Sequence, residues 1–156
     1  MVRRVVLLLA ATLLALTACG GGSPPEVEFA AGDATVTARP AHYCDINLTE
    51  CESDPTAPVT LPVPAGTTVR ITVPEDVAKT PWTVVFSYRS STGEQIDERS
   101  RVFSPNERSE FVLTLPSPTD QLSTAEVQQI GVPQVNPETG EVEYPVRASW
   151  VLTATP

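Results

Sequence analysis

His42, three cysteines (Cys19, Cys44 and Cys51) and a surplus of carboxylates are the residues of this chain with chemistry to offer. A copper centre of the kind carried by β-scaffolds asks for two His, a Cys and usually a Met, and a chain whose single His is His42 and single Met is Met1 does not supply it. Nucleophilic catalysis by serine has no motif either. There is no Gly-x-Ser-x-Gly, and the residue three before the only lysine, Lys79, is Asp76 and not the Ser of a Ser-x-x-Lys pair. Asp45-Ile46-Asn47 begins like a calcium loop. The pattern then breaks, with Thr49 at the third Asx place, Glu50 where the turn requires Gly, and Thr56 at the closing Glu. Asp97, Glu98, Glu107 and Glu110 are acids that a folded sheet could bring together, the arrangement glycoside hydrolysis uses. No catalytic, cofactor-binding or metal-ligating residue is assigned from these patterns, and no cofactor is implied.

Charge narrows the partners. Nineteen Asp+Glu stand against ten Lys+Arg, a formal charge of -9. Binding to a phosphate backbone needs the opposite sign, so no nucleic-acid partner is expected.

The first residues read as an export signal: Arg3 and Arg4 form a basic start, Val5 to Leu16 an apolar run too short to span a bilayer as a helix, and Thr17 and Ala18 are small. Leu16-Thr17-Ala18-Cys19 resembles the lipobox of bacterial lipoproteins. The resemblance implies cleavage after residue 18, transfer of a diacylglyceryl group to the thiol of Cys19, and anchoring to the outer face of the cell membrane. Two acyl chains are enough for stable anchoring. Gly20-Gly21-Gly22-Ser23-Pro24-Pro25 then has the composition of a tether, flexible first and extended afterwards. The expected organisation is thus a signal over 1–18, a lipidated Cys with its tether over 19–25, and one domain over 26–156.

With Cys19 lipidated, Cys44 and Cys51 remain as an even pair in an oxidising compartment, the condition for a disulfide staple. A redox or metal site is the other use of two cysteines, but the spacing is not Cys-x-x-Cys and His42 is the sole histidine. The loop they close is rich in polar side chains. Tyr43, Asp45, Asn47, Glu50 and Glu52 are therefore the candidate recognition residues.

What must position that loop is a set of strands. From Glu26 onward apolar residues alternate with polar ones in short segments broken by Pro, Gly, Asn and Asp. Val36 and Ala38, and then Val69, Ile71 and Val73, form inward faces. Trp82, Val84, Phe86 and Tyr88 mark a central strand, and Ile96 to Phe103 is polar enough for an edge. Phe111, Leu113 and Leu115 face inward, as do Val146, Ala148, Trp150 and Leu152. Thr124 to Ile130 fits a strand or a short helix with Val127 and Ile130 facing in, and Asn136 to Gly140 makes a hairpin turn. Both tryptophans sit on apolar faces and read as core. About seven short strands with regular turns predict an all-β fold, an immunoglobulin-like antiparallel β-sandwich. Cys44 and Cys51 are too close in sequence to be the inter-sheet disulfide of true immunoglobulin domains.

The segment Tyr43-Cys44-Asp45-Ile46-Asn47-Leu48-Thr49-Glu50-Cys51, followed by Pro62-Val63-Pro64-Ala65-Gly66 and by Pro81-Trp82, resembles an actinobacterial envelope lipoprotein family of unknown function. That resemblance implies a compartment and a fold, and no activity. The expected function is a non-catalytic binding or accessory module of the cell envelope, with an envelope protein or a cell-wall component as partner. The alternative is a small hydrolase or transferase acting on envelope polymers through paired carboxylates.

Overall fold

The computed structural model describes residues 22–156. The export segment and Cys19 lie outside the described residues. Two sheets pack face to face. In the smaller, β1 (Val27–Ala31) forms a hairpin with β2 (Ala34–Ala38) and pairs on its other side with β6 (Val69–Thr72), which pairs with β9 (Glu110–Leu113). The larger contains β3 (His42–Cys44), β4 (Cys51–Ser53), β7 (Trp82–Arg89), β8 (Gln95–Arg99), β10 (Gln121–Ile130) and β13 (Val146–Thr155), in the order β4-β3-β13-β10-β7-β8. A seventh strand, β5 (Val59–Pro62), lies along the second half of β13. A single-turn helix, α1 (Glu75–Ala78), precedes β7, and a small hairpin, β11 (Gln134–Val135) with β12 (Val142–Glu143), precedes β13.

The order β1-β6-β9 on one sheet and β7-β10-β13 on the other, with β8 outside β7, is the A-B-E and C-F-G arrangement of immunoglobulin-like sandwiches. The period-two pattern explains it. Val27, Phe29, Val69, Ile71 and Leu113 from the small sheet meet Trp82, Val84, Val127, Trp150 and Leu152 from the large one, all buried in one cluster. Each such side chain contributes about 1.5–3 kcal/mol on burial. Both buried indole N–H groups are satisfied: Trp82 Nε1 donates to the Arg108 carbonyl at 3.3 Å and Trp150 Nε1 to the Pro25 carbonyl at 2.8 Å. Every strand of the described residues and the whole of this cluster lie within residues 27–155.

Three details differ from the sequence expectation. The described residues form thirteen strands and not about seven, because β1, β3, β4 and β5 join the segments read from the sequence and the expected Asn136–Gly140 hairpin adds β11 and β12, while β10 and β13 are ten residues long. The β5–β13 pairing is parallel in an otherwise antiparallel structure. Thr124 to Ile130 is strand. Period two puts Ala125, Val127 and Gln129 inside, which turns Ile130 away from the core face that a helical spacing from Val127 suggested. Gln129, 1% exposed, donates from Nε2 to the Thr80 hydroxyl at 2.8 Å and the Asp76 carbonyl at 3.1 Å, tying the α1 segment onto β10.

Candidate functional site

The staple forms. Cys44, buried at the end of β3, is bonded to the exposed Cys51 at the start of β4, and the two are cross-strand partners. His42 stands beside it, with Nε2 3.1 Å from Cys44 Sγ and Nδ1 3.3 Å from Ser53 Oγ. The ligand atoms of His42, Cys44 and Cys51 lie within 4.8 Å of one another, but both sulfurs are committed to the disulfide.

Inside the stapled loop Asp45 is occupied by the loop itself. Its carboxylate accepts the Thr49 and Glu50 backbone N–H groups at 2.7 and 2.9 Å and the Thr49 hydroxyl at 3.0 Å. These bonds, that from Glu50 N–H foremost, hold it below the ordinary carboxylate range. The side chain that sequence suggested as a recognition or calcium group therefore closes a turn. Asn47 and Glu50 are exposed beside it. Tyr43 and Glu52 line a small cavity of about 390 Å³ on the outer side of β3–β4, together with Ser23, Pro24, Arg39 and Asp54. The five candidate residues thus do not converge on one site.

A larger groove, about 640 Å³, opens beyond the loop tip at the end of the large sheet where β10 and β8 finish and β7 and β13 begin. The stapled loop contributes one residue to it, Ile46, 63% exposed. The rest of its apolar lining comes from Val102 in the β8–β9 connection, Ile130 at the end of β10, Val132 after it, and Tyr144 before β13. Pro81, Pro105 and Pro133 complete the walls, and Thr80 and Ser104 supply hydroxyls. Val102, Val132 and Tyr144 are 49%, 48% and 65% exposed, so large side chains converge here without being covered. Gly131 lets the loop approach. A Cβ there would lie 3.3 Å from Leu48 Cδ1 and from the Pro145 carbonyl, so the stapled loop rests against bare backbone.

The charged groups of the groove are Arg99 and Arg147; its lining includes no carboxylate. Arg147 is half-buried and fixed: Nε donates to the Cys44 carbonyl at 3.1 Å, and the guanidinium lies 5.4 Å from the centre of the Tyr43 ring. Tyr43 is thereby a platform under a cation at the groove wall. Arg39, Arg70, Lys79, Arg101 and Arg108 each contact a carboxylate, whereas Arg99 and Arg147 have none within 4.0 Å. Of the three arginines among the described residues without a carboxylate partner, two thus stand at the groove and the third, Arg89, lies at the end of β7 outside it.

The acids proposed for hydrolysis are engaged separately. Arg101 and Arg108 contact Glu107, whose oxygen also accepts the Ser104 backbone N–H at 2.9 Å; the Arg101 bond above all holds this carboxyl down at about 2. Glu110 pairs with Arg70 at 3.1 Å, and Glu98 accepts from the Tyr88 hydroxyl at 3.2 Å. Sequence reasoning passed over Arg99, Arg147, Val102, Val132 and Tyr144. A weak signal was present for two of them: Val132 and Tyr144 are apolar residues each followed directly by a proline.

Sheet order and groove together define an immunoglobulin-like β-sandwich with an open apolar, cationic groove at one loop end. The family model described as protein of unknown function, DUF2771, matches residues 21–155, and the chain belongs to that family. Comparison with curated proteins and with solved structures gives no match. No helix of the described residues is long and apolar enough to cross a membrane.

Proposed function

We propose that this protein is a lipid-anchored module on the outer face of the cell membrane that binds a partner or ligand through its groove and does not catalyse a reaction. The observation that carries the reading is the groove itself: four exposed apolar side chains, the half-buried Ile130 and two unpaired arginines at one end of a rigid sandwich. Exposed apolar clusters of this kind mark interaction sites. Its location supports the same reading. The groove is built by the β6–β7, β8–β9 and β10–β13 connections. In immunoglobulin variable domains the B–C and F–G loops at the corresponding end carry recognition, a likeness at the level of fold.

The anchored location rests on the lipobox-like Leu16 to Cys19 and on the tether that follows. The separate engagement of Glu98, Glu107 and Glu110 favours binding over hydrolysis, since a general acid needs a raised pKa and Glu107 is driven the other way. The envelope partner is sought by in-cell crosslinking of the tagged full chain beside its Cys19→Ser form. We expect Cys19→Ser to leave the membrane fraction and to lose the crosslinked species. Retention of Cys19→Ser on membranes through a high-salt wash overturns the anchor.

A further inference from the structure

We infer that the groove takes a single anionic membrane lipid, its hydrocarbon chain along the apolar walls and its phosphate at Arg99 and Arg147. This deepens the binding reading above and rests on it.

Three observations converge. First, the lining has little to offer a polypeptide. An extended peptide brings an N–H and a C=O per residue that need partners when covered, and Pro81, Pro105 and Pro133 have no N–H to give. A hydrocarbon chain asks for none. Second, the cations are placed for an anionic head. Arg147 is held in position by the Cys44 carbonyl and the Tyr43 ring and left without a carboxylate. A half-buried guanidinium in that state gains most from a phosphate, which it can meet with two parallel N–H groups. The chain's overall negative charge would keep it off an anionic surface, so attraction at this end is local and not a property of the whole molecule.

Third, the polypeptide leaves the sandwich near the groove. Glu28 of β1 pairs with Thr72, the last residue of β6, and the chain from Thr72 runs through α1 to Thr80 and Pro81 in the groove wall. The first residue of β1 therefore lies on the groove half of the molecule. Ser23 and Pro24 sit beside Tyr43, on whose ring Arg147 rests. From Pro25 back to Cys19 is six residues, at most about 21 Å of fully extended chain. Anchored through Cys19, the groove end is held close to the lipid surface.

The test uses residues 22–156 without a lipid anchor, mixed with vesicles of phosphatidylcholine alone or of equimolar phosphatidylcholine and phosphatidylglycerol. The chain is then re-isolated and its bound lipid identified by mass spectrometry. We expect phosphatidylglycerol to be retained in preference to phosphatidylcholine. Arg147→Met should reduce retention about tenfold or more, the worth of a charge-assisted hydrogen bond. Arg99→Gln, at a side chain with no partner in the fold, should reduce it in the same direction, and Arg89→Gln, an unpaired arginine outside the groove, should not. Absence of retained lipid, equal retention of both lipids, or an Arg89→Gln effect as large as that of Arg99→Gln overturns the inference. So does saturable binding of an apolar peptide that competes with the lipid without sensitivity to Arg147→Met. None of these outcomes touches the Cys19→Ser result, so the lipid reading and the anchor fail separately.

Discussion

Two pairs of arginines, one within the β8–β9 connection and one at the groove, are treated in opposite ways. Arg101 and Arg108 lie over the Phe103 ring at 5.0 and 4.7 Å, and both contact Glu107; Phe103 in turn packs on Trp82 and Phe111 at 4.6 and 5.4 Å. Charge, aromatic face and counter-ion there close on one another. Arg99, two residues from Arg101, and Arg147, which rests on the Tyr43 ring at 5.4 Å, have no carboxylate within 4.0 Å. The first group belongs to the stability of the fold. In the second, Arg147 is held by the Cys44 carbonyl, but its charge and that of Arg99 meet no carboxylate and are left for something outside the chain. A cation's role is thus read from what neutralises it, not from its position on the sheet.

The sharpest way to break this contrast is at Phe103, 1% exposed. Phe103→Ala should cost about 3–5 kcal/mol in denaturant unfolding, and a loss under 1 kcal/mol would show that the closed cluster is not structural. Next in size is the staple. Reduction of Cys44–Cys51 should lower stability by about 2.5 kcal/mol on the chain-entropy view. It should also weaken lipid retention, because Ile46 loses its fixed place; calorimetry with and without reductant measures the first effect.

A smaller effect is expected from acid. The Glu107 carboxyl is depressed from its ordinary 4.5 to about 2 in the fold, so its stabilising contribution is complete above 4.5 and is lost as pH falls from 4.5 towards 2. Glu107→Gln should remove that part of the acid limb, and a melting profile over this window that is identical in both forms would overturn the assignment. The smallest effect completes the contrast: Arg99→Gln should leave stability within about 0.5 kcal/mol of the parent. A larger loss would mean that Arg99 has a structural partner and that the open group is not open.

The strand framework was legible because burial on one face of a sheet writes itself as period two. Val69, Ile71, Trp82, Val84, Leu113, Trp150 and Leu152 all lie where the alternation puts them. Thr124 to Ile130 was ambiguous, because Gln129 occupies an inward position that polarity argues against, and its two hydrogen bonds to the α1 segment are non-local facts. The disulfide was legible from the cysteine count together with the compartment that the export-like first residues imply. The groove was not. Ile46, Val102, Val132, Tyr144, Arg99 and Arg147 are dispersed over a hundred residues and meet only because five chain segments converge at the same end of the sheet. The stapled loop was chosen for its carboxylates, yet Asp45 is spent on Thr49 and Glu50, and the loop's contribution to the groove is the apolar Ile46.

The bond from Trp150 to the Pro25 carbonyl has a mechanical side. It clamps the incoming chain to the middle of β13 just before the chain becomes β1, which is paired on both flanks, with β2 over Val27–Ala31 and with β6 over Glu28–Ala30. Tension drawn through the N-terminal segment would meet the indole clamp first and then pull β1 along its own axis, loading its ladder bonds together in shear and not peeling them one at a time. A domain pulled from that end would hold its shape until several bonds gave way at once.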